Sequence, residues 1–270
     1  MTLDNVLTVN NQPDLNRRFA SVDRLYSSGA MVTLSQKKVV VAGIGGVGSW
    51  VVEALARSGV GALTLIDLDH IAESNINRQI HALGSTLGQP KVQAMAERVN
   101  DINPTCQVTC HDAFVEPDNV QSVIDSDADL VIDCVDQVHA KIAMILICQQ
   151  RQQSLLVCGG AGGKIDALSL RHGDLRDATH DALLARIRHI LRKQHGFPHA
   201  KTKRTPKMGV ETFWFAQPTL IPKAWSEGLV DAPESGAALA CAGYGSAVTV
   251  TATMGFVVSG QAIAQLLKQT

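Results

Sequence analysis

The segment Gly43-Ile44-Gly45-Gly46-Val47-Gly48 follows an apolar run, Lys37-Lys38-Val39-Val40-Val41-Ala42, and opens a helical pattern. In that context the glycines form a phosphate-binding fingerprint. Gly43 permits a tight turn, Gly45 lets a phosphate approach the backbone, and Gly48 permits close helix–strand packing. The free N–H groups of the helix then face the anion. Asp67, nineteen residues beyond Gly48, ends the next apolar run, where a carboxylate reaches ribose hydroxyls. This pattern establishes nucleotide binding as the expectation, and the loop alone fits NAD as well as ATP. A second glycine run, Gly159 to Gly163 before Lys164, lacks the Walker pattern, because Cys158 and Ile165 stand where Gly and Ser or Thr are required. It reads as a flexible turn over a substrate.

Downstream residues favour triphosphate chemistry. Asp69 is followed by Ser74-Asn75-Ile76-Asn77-Arg78-Gln79, and the guanidinium of Arg78 suits bidentate contact with phosphate, although such an arginine taken singly is more often a solvated surface residue. Lys91 falls in the first turn of a helix opened by Pro90, where the helix dipole disfavours a cation; a phosphate held there would remove the conflict. Asp136 closes an apolar run at Asp133-Cys134-Val135-Asp136, at the strand end where such sheets bind ligands. A carboxylate there suits Mg²⁺, or alternatively caps the following helix.

These residues need a scaffold of alternating strands and helices. Strands are expected at 37–42, 62–67, 107–111, 129–133, 154–158 and near 210–215. Helices are expected from the glycine loop to about Ser58, from Pro90, across Ala140–Gln150 and across Thr179–Gln194. That alternation predicts an α/β fold with a doubly wound, mainly parallel, Rossmann-like sheet and a C-terminal elaboration. Residues 1–16 read as a flexible arm and 17–270 as a single domain, with 159–235 as a substrate or crossover elaboration, hairpin-like at its start. Residues 235–267 carry no charge and are long enough to cross a bilayer, yet their many Gly, Ser and Thr residues favour a buried helix at a domain or dimer interface.

The net charge of −1 over 270 residues excludes a uniformly basic surface. The charge is unevenly placed: between Asp181 and Glu211 lie Arg186, Arg188, Arg192, Lys193, Lys201, Lys203, Arg204 and Lys207 with no acid, a segment of +8 against −9 elsewhere. An anionic partner at one place fits that asymmetry, and so does a solvated helix face. Six cysteines without a C-x-x-C pair exclude paired-cysteine zinc, and they point to a reducing compartment, the cytoplasm, for a chain whose start shows no secretory signal. His195 and His199 have i,i+4 spacing but no further ligands for zinc.

The glycine loop together with Asp67, Asn75, Arg78, Lys91 and Asp136 resembles the ATP site of the ubiquitin-activating-enzyme superfamily, the ThiF- and MoeB-like adenylating enzymes. Arg18-Phe19 and Arg24-Leu25-Tyr26 resemble its N-terminal element, which implies that Arg24 reaches the ATP of a partner subunit in a homodimer. Residues 46–50, 77–83, 159–163 and 249–253 resemble the branch of tRNA-modifying enzymes that act on threonylcarbamoyladenosine, a similarity covering about 17–267 and departing locally at Ser27. The resemblance implies ATP-dependent cyclisation of that nucleoside in the anticodon loop through an acyl-adenylate, releasing AMP and pyrophosphate. By the same resemblance Asp67 binds ribose, Gly46, Asp69, Asn75 and Gln79 belong to the ATP site, and Arg78 and Lys91 take the phosphates. Asp136 holds Mg²⁺, and a cysteine-desulfurase system is a possible partner; DNA is not. The basic segment would bind tRNA, with Phe197 or Trp225 near the modified base. Related enzymes form a cysteine thioester, for which Cys241 is the candidate, although intramolecular ring closure makes one unnecessary. Three rival readings remain open: adenylation of a ubiquitin-like sulfur carrier, an NAD-dependent oxidoreductase, and an adaptor that binds nucleotide structurally.

Overall fold

The computed structural model describes residues 13–199, 206–221 and 244–268. Seven strands form one sheet: β1 (Lys38–Ala42), β2 (Ala62–Ile66), β3 (Gln107–His111), β4 (Leu130–Asp133), β5 (Leu155–Cys158), β6 (Leu170–Asp174) and β7 (Glu211–Phe215). Their order is β3-β2-β1-β4-β5-β7-β6, and every neighbouring pair is parallel except β6 with β7. The central strands are nearly continuous apolar runs because crossover helices cover both faces.

Alternation along β1 shows the two faces. Val39 and Val41 join a core with α3 (Gly48–Arg57), α4 (Lys91–Ile102) and α8 (Val248–Lys268). Val40 and Ala42 join the opposite core with α5 (Val120–Val123) and α6 (Val138–Arg151), which continues into α7 (Ala182–Gln194). The chain runs β1 to β2 to β3 in one direction and returns to place β4 on the other side of β1. The carboxyl ends of β1 and β4 therefore diverge and open a crevice at the topological switch point.

Three expectations need correction. The arm ends before residue 16: α1 (Leu15–Leu25) starts where the Asp14 carboxylate accepts the Arg17 N–H at 3.0 Å, and α2 (Ala30–Ser35) follows. The basic helix starts at Ala182 instead of Thr179, because Asp181 caps it through the Leu184 N–H at 2.9 Å. The piece after Gly159 is no hairpin, since α7 intervenes between the antiparallel strands β6 and β7.

The uncharged segment forms α8, which buries Val250, Met254, Val258, Ala262 and Leu266 in the main core. Gly255 lets it cross α3 closely, since a Cβ there would sit 2.7 Å from the Trp50 Cβ. The Ser259 hydroxyl donates within the helix to the Gly255 carbonyl at 2.8 Å. Among the described residues α8 is the helix long and apolar enough to cross a membrane, and here it packs against the sheet and α3.

Candidate active site

The glycine loop fills the crevice. Gly43 has φ +85°, and a Cβ there would lie 2.8 Å from the Cys134 carbonyl carbon and the Val135 nitrogen. A Cβ on Gly48 would lie 1.8 Å from the Gly43 oxygen, whereas one on Gly45 would meet nothing within 4 Å. The first and last glycines thus allow backbone contact, and the middle of the loop faces open space. Asp67 locks it: one carboxylate oxygen accepts the Ile44 N–H at 2.7 Å and the other the Asp69 N–H at 2.8 Å. Burial raises the Asp67 carboxyl above its ordinary value, opposed by the Lys91 ammonium and these N–H groups.

A cavity of about 370 Å³ lies over the loop. It brings together Gly43, Gly45, Gly46, Asp67, Asp69, Asn75, Arg78, Gln79, Lys91 and Asp136, residues spread over ninety-four positions of sequence. Gly48 sits beneath it in the helix. Arg24 is exposed on α1 and is not part of the cavity wall.

Lys91 is only 5% exposed, and its ammonium lies 2.6 Å from Asp69 and 3.9 Å from Asp67. The conflict between a cation and the start of α4 is therefore offset by two carboxylates already in place, without a phosphate. Arg78 donates to the Ser74 carbonyl at 2.6 Å and to the Asn77 side chain at 3.1 Å, while its own carbonyl accepts the Trp50 indole N–H at 2.9 Å. Asn75 uses its side-chain oxygen on the Ala72 N–H at 3.1 Å. Gln79 is buried in the cavity wall, and its side-chain oxygen lacks a partner among the described residues. Asp136 does not cap α6, because Gln137 is the N-cap and no side chain bonds the first-turn N–H groups. Its carboxylate stands exposed at the end of β4.

The sequence reading missed the apolar end of this cavity. Phe114, half-exposed at 38%, is the one aromatic side chain in the wall among the described residues, beside Ala113, Val115, Ile66 and Ala140. Its loop is braced: Asn119 donates to the Phe114 carbonyl at 2.8 Å and accepts the Glu116 N–H at 2.8 Å. Glu116 pairs with His139 of α6 at 3.0 Å. The signal was present, since this loop follows β3 on the same sheet edge as Asp67, but irregular backbone has no periodicity to reveal it.

Two buried pairs brace the rim. The fully buried Lys141 ammonium binds Asp133 at 2.9 Å and the Cys158 carbonyl at 2.7 Å, tying the end of β4 to that of β5. Asp181 accepts the Gly160 N–H at 2.8 Å while capping α7. Lys164, whose burial lowers its ammonium below the ordinary value, donates to the His180 and Gln217 carbonyls at 2.9 and 2.6 Å. The second glycine run is thus a pinned turn on the cavity rim.

The basic segment divides. Arg188 donates to the Leu175 and Ala178 carbonyls at 3.0 and 2.8 Å, and Arg192 to the Pro198 carbonyl at 3.2 Å, so both are committed to the fold. Arg186, Lys193 and Lys207 are exposed. Phe197 is buried in the core beneath α7 and is not part of the cavity wall. His199 hydrogen-bonds the Arg192 carbonyl, and no metal-ligating group of three or more forms among the described residues. Lys201, Lys203, Arg204, Trp225 and Cys241 lie outside the described residues.

The family model for the ThiF family matches residues 16–269. The chain is 40% identical over 254 residues to the tRNA threonylcarbamoyladenosine dehydratase of Haemophilus influenzae, covering 94% of each chain. Its structure is similar to that of Escherichia coli tRNA N6-threonylcarbamoyladenosine dehydratase in complex with ATP, with a TM-score of 0.82 and 37% identity over 94% of this chain and 95% of that one. The AMP complex of the same protein gives a TM-score of 0.83 and 38% identity over the same shares. The glycine loop, the switch-point cavity and the likeness across almost the whole chain lead to one conclusion: the chain belongs to the ThiF family, in the branch that holds the tRNA threonylcarbamoyladenosine dehydratases.

Proposed function

We propose that the protein is an ATP-dependent tRNA threonylcarbamoyladenosine dehydratase. The observation that carries this reading is the single cavity in which the glycine loop, Arg78, Lys91 and Asp136 meet. NAD chemistry gives the last three no task. In the proposed reaction a carboxylate oxygen of the threonyl group attacks the α-phosphorus of ATP, and the bond to the departing pyrophosphate breaks. The carbamoyl group then attacks the acyl-adenylate carbonyl, closing a ring and releasing AMP. The nucleoside loses one water.

Each residue has a proposed task. The base lies at the apolar end against Phe114, the ribose beside Asp67, and the phosphates over Gly45 and Gly46. The Gln79 oxygen, without a partner among the described residues, gives a donor of the nucleotide an acceptor. Arg78 and Lys91 offset charge on the leaving group. Asp136 fits a magnesium ion, being a carboxylate at the cavity wall that the helix does not use as a cap. When bound, that ion supplies further positive charge to the phosphates. Because the second step is intramolecular, holding the two groups together supplies much of it.

Arg24, outside the cavity of its own chain, would reach the partner's ATP in a homodimer, and the exposed Leu25, Tyr26 and Val32 beside it supply apolar surface for that contact. The tRNA would meet the exposed face of α7. A cysteine-desulfurase partner rests on the family resemblance, and a cytoplasmic location on the cysteine usage.

The test is to incubate the protein with Mg-ATP and tRNA carrying threonylcarbamoyladenosine, digest the tRNA and weigh its nucleosides. Loss of one water with AMP formed in step supports the dehydratase. An unchanged mass alongside an active control would move the reading to adenylation of a carrier protein.

A further inference from the structure

The proposed chemistry uses no thiol, yet two thiols meet at the point where the sheet touches the phosphate loop. Cys134 and Cys158 directly follow the paired residues Asp133 and Val157 of β4 and β5, so they stand opposite each other at the ends of neighbouring parallel strands. Their Sγ atoms are 3.6 Å apart. Neighbouring strands run about 4.8 Å apart, inside the Cα separation of roughly 4.4–6.8 Å that a disulfide spans. Cys134 lines the nucleotide cavity, which gives a small oxidant a route, while Cys158 is buried behind it.

The backbone around Cys134 is where the glycine loop rests. The space a Gly43 Cβ would need is taken by the Cys134 carbonyl and the Val135 nitrogen, and the Cys134 Cβ lies 3.3 Å from where a Gly48 Cβ would stand, a place already blocked by the Gly43 oxygen at 1.8 Å. Cys158 is held by its carbonyl, which accepts from the buried Lys141 ammonium at 2.7 Å. A bond between the sulfurs at about 2.05 Å needs an approach of roughly 1.5 Å. Both backbones are held, Cys158 by that bond and Cys134 by its N–H to the Ala42 carbonyl at 2.8 Å, so the share that side-chain rotation does not supply strains the Val135–Asp136 segment beside the loop.

We infer that Cys134 and Cys158 form a reversible disulfide under peroxide and that this bond closes down nucleotide binding at the glycine loop. One thiol attacks the peroxide, giving a sulfenic acid and water. The second thiol then displaces the hydroxyl, forming the S–S bond and a second water. The two thiols lose two electrons and two protons, and the peroxide O–O bond is reduced. A dithiol reverses the change by exchange. In a reducing compartment such disulfides are transient sensors, not framework bonds. The inference rests on nucleotide binding at this loop and does not depend on the tRNA substrate.

The full chain is treated with hydrogen peroxide, alkylated without reduction and mapped by mass, and its melting shift with Mg-ATP is measured before and after. The expected result is a Cys134–Cys158 cross-linked peptide two hydrogens lighter, at least about a tenfold loss in apparent ATP affinity, and recovery with dithiothreitol. Cys158→Ala should keep its Mg-ATP shift through the same treatment. No cross-link, a cross-link with the shift retained, or equal sensitivity in Cys158→Ala overturns the inference. If Cys158→Ala fails to fold, mapping and dithiothreitol recovery on the unsubstituted chain decide. A missing shift before peroxide overturns the nucleotide reading itself and the inference with it.

Discussion

Asp136 and Lys91 stand in the same cavity but are tied to the fold in different ways, so their substitutions should separate. Asp136 is exposed and caps nothing. Asp136→Ala should abolish AMP release while the Tm moves by no more than about 2 °C. Lys91 is buried, and its ammonium offsets the buried Asp67 carboxylate. Lys91→Ala should abolish AMP release and also lower the Tm, because it leaves that carboxylate without its cation. Thermal melts beside AMP assays check both, and wild-type turnover in the two variants would sink the site assignment. His81 adds a pH dependence: burial, with Lys91 and Arg98 nearby, lowers its imidazolium pKa from 6.5 to about 4. The folded state therefore holds fewer protons than the unfolded state between these values. The stability this allows is complete above pH 6.5 and is lost as pH falls toward 4, by up to about 3 kcal/mol. Neither ring nitrogen has a partner among the described residues. His81→Leu should accordingly flatten the acid limb of a urea-denaturation series run from pH 7 to pH 4.5. An unchanged slope would show that His81 is hydrated in the folded state.

At the scale of the element, the loop between β1 and α3 works only because its first and last glycines allow backbone to touch backbone. Gly48→Ala drives a methyl into the Gly43 carbonyl. It should lower the Tm and remove the Mg-ATP melting shift, whereas Gly45→Ala, with open space around its Cβ, should fold normally and lose affinity only through its approach to phosphate. Equal Tm values for the two variants would contradict this division. The same elements show what a sequence can disclose. Strands buried on both faces leave continuous apolar runs, so β1, β2 and β4 and the carboxylates at their ends were readable, as was the doubly wound fold. β7 was readable too, near 210–215, but β6 and its pairing with β7 were not, because the two pair across an intervening helix and no local pattern encodes a partner that distant. Phe114 sits on irregular backbone held locally by Asn119 and, across the fold, by the Glu116–His139 pair, which no local pattern encodes. Lys91 was recognised as anomalous in its helix, but the carboxylates that settle the anomaly come from 22 and 24 residues upstream.

For the whole molecule, a count of basic residues overstates the surface offered to an anion. Arg188 and Arg192 spend their guanidinium groups on backbone carbonyls, fastening α7 to the turns around it. Arg186 and Lys193, seven residues apart and with His189 between them, share the solvent-facing stripe of α7. The helix that carries this stripe begins where its N-cap Asp181 bonds Gly160 on the cavity rim, so its N-terminal end is the one nearest the nucleotide site. Contacts to phosphate release counterions, and each one lost reduces the steepness with which affinity falls as salt rises. The variant Arg186→Glu with Lys193→Glu should therefore weaken tRNA binding at low salt and flatten the log K against log salt plot by about 1.5. Its Mg-ATP melting shift should stay as in the unsubstituted chain, because neither side chain reaches the cavity. Arg188→Ala and Arg192→Ala should do the reverse, lowering the Tm through lost backbone contacts without changing the salt slope beyond the loss of overall charge. If all four positions flatten the slope alike, the tRNA senses only a diffuse field, and recognition must come from the cavity itself.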